Sequence, residues 1–171
     1  SITAYGVALD IDDFNGTVGG NISGTSDLAD LEAQANMITE WFPDATKVGL
    51  LFCSAEPNSR YQIGEVAKCL SDKGIETKEF AFTDTNDVAS VTQSAADYSD
   101  VVYVPTDNTA ASNTEAIANI LVPAGVPAIA GEEGICSGCG VATLSISYYD
   151  LGYTTGEMAV KILNGEQAKG Y

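Results

Sequence analysis

The stretch that decides the fold is Lys47-Val48-Gly49-Leu50-Leu51-Phe52-Cys53-Ser54-Ala55-Glu56-Pro57-Asn58-Ser59. Residues 48–52 are apolar without alternation, the pattern of a strand buried on both faces. The chain then turns polar over 53–59. Ile63, Val66, Ala67 and Leu70 follow at helical spacing, and Gly74 suits the end of that helix. One apolar strand, one polar loop and one amphipathic helix make a βα unit.

The unit recurs in both directions. Residues 79–82 read as a second strand, closed by Thr83-Asp84-Thr85-Asn86, with Asn86 capping a helix that buries Val88, Val91 and Ala95. Residues 101–104 are a third strand, closed by Pro105-Thr106-Asp107-Asn108-Thr109. Ser112-Asn113-Thr114-Glu115 then has the capping-box pattern ahead of Ala116, Ile117, Ile120 and Leu121. Residues 126–130 form a fourth strand ending in Gly131-Glu132-Glu133-Gly134, and residues 141–146 a fifth. Upstream, Ser26 or Asp27 caps a helix carrying Leu28, Leu31, Ala35, Ile38, Trp41 and Phe42. Its two last aromatics anchor it in the core, and Pro43 stops it. Downstream, Asp150 caps a last helix that turns Leu151, Met158, Ala159, Ile162 and Leu163 inward. Strands alternating with helices of this length predict an α/β fold. Its parallel sheet is flanked by helices through right-handed crossovers, and residues 21–165 read as one continuous unit.

Composition narrows the function. The 171 residues carry 24 acidic and 7 basic side chains and no histidine, a net charge of −17. That field repels phosphate backbones and anionic membrane surfaces, so nucleic acid is excluded as a partner; a solvated acidic surface is its simplest meaning. A hydrophobic fraction of 45% with 18% charged residues fits a folded globular chain. Without histidine there is no Ser-His-Asp triad, and neither a P-loop nor a G-x-G-x-x-G turn follows a strand. No run of apolar residues is long enough to span a bilayer and no signal peptide is evident; the chain begins without Met, as a processed or truncated piece does. Of the four cysteines, Cys136 and Cys139 have C-x-x-C spacing between a strand end and the next strand, whereas Cys53 and Cys69 form no second close pair. A structural role, free or disulfide-bonded, suits them better than a redox or zinc site, both of which stay open.

In a parallel sheet the loops after the strands gather at the carboxyl edge, where ligands bind. Ser54, Glu56, Asn58 and Ser59 follow the first strand and open onto a helix N-terminus suited to a carboxylate; simple capping by Asn58 or Ser59 is the alternative. Asp107 and Asn108 follow the third strand and suit an ammonium or hydroxyl, or make a turn. Of Glu132 and Glu133, one faces the ligand and the other solvent, since neighbours on an extended chain point apart. Tyr148 and Tyr149 either border a cleft or pack.

Four segments together resemble a known family: Asn21-Ile22-Ser23-Gly24-Thr25-Ser26-Asp27-Leu28, Glu56-Pro57-Asn58-Ser59, Tyr103-Val104-Pro105-Thr106-Asp107-Asn108-Thr109, and Ala142-Thr143-Leu144-Ser145-Ile146-Ser147-Tyr148-Tyr149-Asp150-Leu151-Gly152. They are similar, in one collinear order, to ABC-transporter substrate-binding proteins of the tryptophan- and tyrosine-binding lipoprotein type. The resemblance implies the type I periplasmic-binding-protein fold, with two α/β lobes joined by three crossings and a ligand in the cleft between them. On that scheme residues 1–18 are a remnant of the first lobe and a hinge. Residues 19–140 are the second lobe, and residues 141–171 return a strand and helix to the first. Most of the first lobe is missing.

The resemblance carries Ser54, Glu56, Asn58, Ser59, Asp107, Asn108 and Glu133 over as ligand contacts. It implies an amino acid ligand, most naturally aromatic, with its ammonium on Asp107 or Glu133 and its carboxylate near Ser54 to Ser59. It implies an ABC permease as partner, an extracytoplasmic and lipid-anchored location, no cofactor, no metal and no enzymatic step. A local disulfide between Cys136 and Cys139 would suit that compartment. Apolar surface left by a missing lobe favours self-association. Two other classes share the fold. One is the effector domain of a regulator. The other is an α/β enzyme such as a sugar-phosphate isomerase or a receiver, although no lysine follows the fifth strand before Lys161.

Overall fold

The computed structural model describes residues 3–12 and 14–168. The apolar run becomes β1 (Lys47–Cys53), in which every residue except Lys47 is buried. Successive side chains of a strand point to opposite faces. Leu51 and Cys53 enter a cluster with Val102, Val104, Val88, Ile117, Leu121 and Ile135. Leu50 and Phe52 are equally buried but lie outside that cluster. A strand covered on both sides cannot alternate polar and apolar residues, which explains its sequence.

β1 pairs in parallel with β2 (Glu76–Phe82) on one side and β3 (Val101–Val104) on the other, in the registers Val48 to Thr77 and Val48 to Val101. β4 (Ala128–Ala130) and β5 (Ala142–Thr143) follow in parallel. The order β2-β1-β3-β4-β5 is doubly wound, with its switch point between β1 and β3. Helices α2 (Leu31–Trp41) and α3 (Pro57–Asp72) pack together. So do α4 (Val88–Tyr98) with α6 (Thr114–Ala124), and α6 with α7 (Glu133–Cys139). The predicted α/β class, a parallel sheet flanked by helices, is what the structure has.

The chain divides into two compact units at Leu28/Ala29 and Ser145/Ile146 rather than forming one unit over 21–165. The sheet unit is Ala29–Ser145. The other joins the two ends of the chain and contains α1 (Tyr5–Ala8) and α8 (Tyr148–Leu163). Residues 23–28 belong to it because their bonds run there. The Tyr5 hydroxyl donates to the Thr25 carbonyl at 3.0 Å, Ser26 Oγ donates to the Thr3 carbonyl at 2.9 Å, and the Thr25 and Thr155 hydroxyls bond at 2.8 Å.

Several local expectations give way. Asp30, not Ser26 or Asp27, caps α2, its carboxylate accepting from the Ala33 N–H at 3.0 Å. Trp41 is 56% exposed at the end of α2 and does not anchor the core; Ile38 fills that role. A 3₁₀ turn (Thr85–Asp87), capped by Asp84, precedes α4 in place of an Asn86 cap. The capping box at Ser112 does not form: the Ser112 hydroxyl donates back to the Asn108 carbonyl at 3.0 Å, and α6 starts one residue later, after Asn113. Ser147 rather than Asp150 caps α8, whose described residues include none that is buried. The fifth strand is two residues long rather than six. Two short helices, α5 (Asn108–Ala111) and α7, stand where loops were expected.

Candidate functional site

The carboxyl edge at the β1/β3 switch point is built around one buried carboxylate. Asp107 is 2% exposed. Its Oδ1 accepts from the Ala110 N–H at 2.7 Å, capping α5. Its Oδ2 accepts from the Cys53 N–H at 2.8 Å and from Ser59 Oγ at 2.6 Å. Burial pushes this carboxyl above its ordinary value, and the negative charge of Glu56 adds to the effect, against three donors that favour the ionised form.

Glu56 is the second clamp. Oε1 accepts from the backbone and side-chain N–H groups of Asn108, both at 2.9 Å, and Oε2 from the Thr109 N–H at 3.0 Å. Burial raises its pKa, but the N–H groups of Asn108 and Thr109 outweigh burial and hold the carboxyl below its ordinary value. A four-residue helix such as α5 has little stability of its own. Two carboxylates, one from 52 positions away, fix its first turn.

A layer of amides lies beneath these clamps. Asn58 Nδ2 donates to the Thr106 carbonyl at 3.1 Å. Gln62 brackets the same peptide, Nε2 to the Thr106 carbonyl at 3.0 Å and Oε1 from the Thr106 N–H at 2.9 Å. The next loop joins through Gly131, where a Cβ would stand 2.5 Å from the Thr106 nitrogen; only glycine lets the loops after β3 and β4 come this close. Gln34, with no exposed surface, donates from Nε2 to the carbonyls of Gly131 at 3.1 Å and Leu144 at 2.9 Å, and accepts from the Tyr103 hydroxyl. Burial alone pushes the Tyr103 phenol upward, so it stays a neutral donor. Glu132 caps α7 by accepting from the N–H groups of Gly134 and Ile135.

Of the residues singled out from the sequence, Glu56 and Ser59 after β1 are thus bonded directly to Asp107 and Asn108 after β3. Asn58 reaches the same loop through Thr106. Ser54 is half-buried; its N–H and hydroxyl donate to the Phe82 carbonyl at 2.9 and 3.4 Å, toward β2 rather than β3. Glu133 is exposed on the first turn of α7. Asp107 and Ser59 differ from expectation. Each is closed in by the other, so they hold the rim in shape, and neither does Asp107 offer a free face to an ammonium nor Ser59 a free hydroxyl to a carboxylate. Sequence reasoning missed Gln34, Gln62, Tyr103, Thr106 and Gly131. A signal for the two glutamines existed, since each interrupts an apolar helical stripe, beside Leu31, Ala35 and Ile38 or beside Ile63 and Val66.

The rim can present hydroxyl, amide and carboxylate groups to a small polar molecule. Among the described residues no cluster of three or more metal-ligating side chains occurs, and no helix is long and apolar enough to cross a membrane.

Comparison with known proteins agrees with this architecture. The tyrosine-binding protein of Clostridioides difficile (strain R20291) is 32% identical over 148 residues, 86% of this chain and 43% of the relative. The structure of an ABC domain from Streptococcus pneumonia in complex with L-Trp superposes with a TM-score of 0.90 at 28% identity, covering 99% of this chain and 57% of that one. The ligand-free, open structure of a substrate-binding protein with adhesive properties from Clostridium difficile gives 0.73 at 33% identity, covering 100% and 58%. The chain therefore spans about half the length of these relatives. Its sheet has the architecture of one lobe of the type I periplasmic-binding-protein fold. The family model for the ABC transporter substrate binding protein matches residues 4–170, and the chain belongs to that family.

Proposed function

We propose that this chain is the ligand-holding part of an ABC importer's solute-binding component, and that its ligand is an aromatic amino acid. The observation that carries the reading is the direct bonding of the loops after β1 and β3 at the switch point, the Glu56 carboxylate on the N–H groups of Asn108 and Thr109. Polar groups preassembled at such an edge bind without reorganising. The ligand class is supported by the relatives, one a tyrosine-binding protein and one crystallised with L-Trp.

The ligand carboxylate sits at the amino end of α3, a sixteen-residue helix whose N-cap carries no side-chain bond, near Ser54 and Asn58. Asn108 contributes its exposed amide. With Asp107 and Glu56 occupied by the fold, Glu133 is the carboxylate left for the ammonium. Glu56, Ser59 and Asp107 act as positioning residues. The unit formed by the chain ends is the part that continues into the first lobe, and closure of the two lobes presents the loaded form to a permease outside the cytoplasm, with a lipid anchor holding the whole protein at the membrane.

Calorimetry of the full-length protein against L-Trp, L-Tyr, L-Phe and non-aromatic amino acids tests this. One-site binding of an aromatic amino acid, recovered unchanged, is expected. Binding of none of the panel, or chemical turnover of one, would overturn it.

A further inference from the structure

Cys136 and Cys139 lie on the last turn of α7, three residues apart, and all four cysteines are unpaired in the structure. Residues i and i+3 of a helix share a face, and tightening the turn toward 3₁₀ geometry brings them into register. Disulfides span Cα separations that one such turn meets. The sequence gives this turn unusual freedom to tighten. Cys139 stands between Gly138 and Gly140, and the Gly140 N–H closes the helix on the Cys136 carbonyl at 2.8 Å. Both glycines are also required by packing: a Cβ at 138 would meet Thr114 at 2.4 Å, and one at 140 the Cys136 Cα at 3.0 Å. Both sulfurs are reachable. Each cysteine is half-buried, and Cys139 lines an open groove of about 470 Å³ between α6 and α7, whereas Cys53 is 2% exposed.

We infer that Cys136 and Cys139 form an intrahelical disulfide that staples the carboxyl end of α7 ahead of β5. The oxidant is a small disulfide such as glutathione disulfide. The Cys136 thiolate attacks one of its sulfurs and displaces a thiolate. The Cys139 thiolate then attacks the Cys136 sulfur and displaces the second. Two protein thiols are oxidised and one oxidant disulfide is reduced to two thiols, which take up the two protons.

The surroundings mark this bond as a staple and not a redox catalyst. Burial, Cys136 and the Glu132 charge push the Cys139 thiol up to about 11, and burial with Glu132 and Glu133 raises Cys136. A helix carboxyl end disfavours a thiolate further. Such thiols attack slowly, and they leave slowly once paired, so the bond resists reduction. At the other end of the same helix stands Glu133. The inference rests on the proposed extracytoplasmic location only for its oxidising surroundings.

The test is oxidation of the full-length protein with glutathione disulfide, followed by denaturing alkylation and peptide mapping. The expected result is a Cys136–Cys139 peptide two hydrogens lighter, with Cys53 and Cys69 alkylated. The C53S/C69S variant should retain the bond, and hydrogen exchange at Cys139 to Val141 should slow on oxidation of the wild type. Four alkylated thiols, or a bond to Cys53 or Cys69, would overturn the staple. The wild-type map decides even where C53S/C69S fails to fold. Amino acid binding by the reduced protein is measured in parallel, so failure of the staple and failure of the binding reading are distinguishable.

Discussion

At the carboxyl edge of the sheet, Ser59 and Asp107 are polar residues almost wholly withdrawn from water, and each satisfies the other. In α8, sixteen residues long, no described residue is buried, and the apolar Tyr149, Tyr153 and Leu163 are 81, 62 and 85% exposed. The usual arrangement, polar outside and apolar inside, is inverted between the two regions. Buried polar groups persist only where hydrogen bonds replace their lost water. The rim does this internally, so its shape is a property of the sheet unit alone. A helix with an uncovered apolar face signals a surface meant for other protein. The contrast separates a site the sheet unit builds by itself from an element whose role depends on cover.

Substitutions can break that contrast. The largest effect is expected at Asp107. Asp107→Ala strands three buried donors, the Cys53 and Ala110 N–H groups and Ser59 Oγ, and should cost roughly 3 kcal/mol of stability in denaturant unfolding. Gly131→Ala drives a Cβ into the peptide at Thr106 and should cost about 2 kcal/mol by the same measurement.

Glu56→Gln should act through pH. Burial opposes ionisation of Glu56, but its backbone N–H partners win and its folded pKa is lowered. Its contribution is therefore present above the unfolded value and is lost as pH falls through the folded one. The carboxyl of Asp107, raised by burial, works in the opposite sense: its contribution is full below the unfolded value and is lost as pH rises through the folded one. Unfolding midpoints of E56Q measured from neutral pH into the acid range should consequently fall less steeply than those of the wild type.

The smallest change in stability is expected in α8. Tyr149→Lys with Leu163→Lys should move the unfolding midpoint by no more than about 0.5 kcal/mol. An equal cost at both regions would erase the contrast.

The strands and long helices were legible because burial imposes a period. An unbroken apolar run such as 48–52 has one cheap solution, and the four recurrences of strand, polar loop and helix leave little choice of sheet. The loops that matter were legible too, since the carboxyl edge follows from the topology. What sequence could not supply was how the loops are held. α5 is capped by its neighbour Asp107, but its first two N–H groups are held by Glu56, 52 positions upstream, and no local window contains that second clamp. α7 reads as a loop because Gly134 and Gly138 lower helix propensity, yet Glu132 caps it and Ile135 buries it. Asp107 looked free because turn chemistry at Pro-Thr-Asp-Asn leaves a carboxylate exposed; only the fold brings Cys53 and Ser59 to it. α8 was misread for the converse reason: an apolar stripe states that a face is to be covered, but not that the cover lies among the residues of the sheet unit.

The most direct test of the central claim, that the switch-point rim holds an aromatic amino acid, is calorimetry of full-length Asn58→Ala and Glu133→Gln against the wild type, with Tyr149→Lys as control. On this account the rim substitutions each weaken binding by about tenfold, the loss of roughly one charge-assisted hydrogen bond, and the α8 substitution leaves affinity unchanged. Unchanged affinity in both rim variants would contradict it.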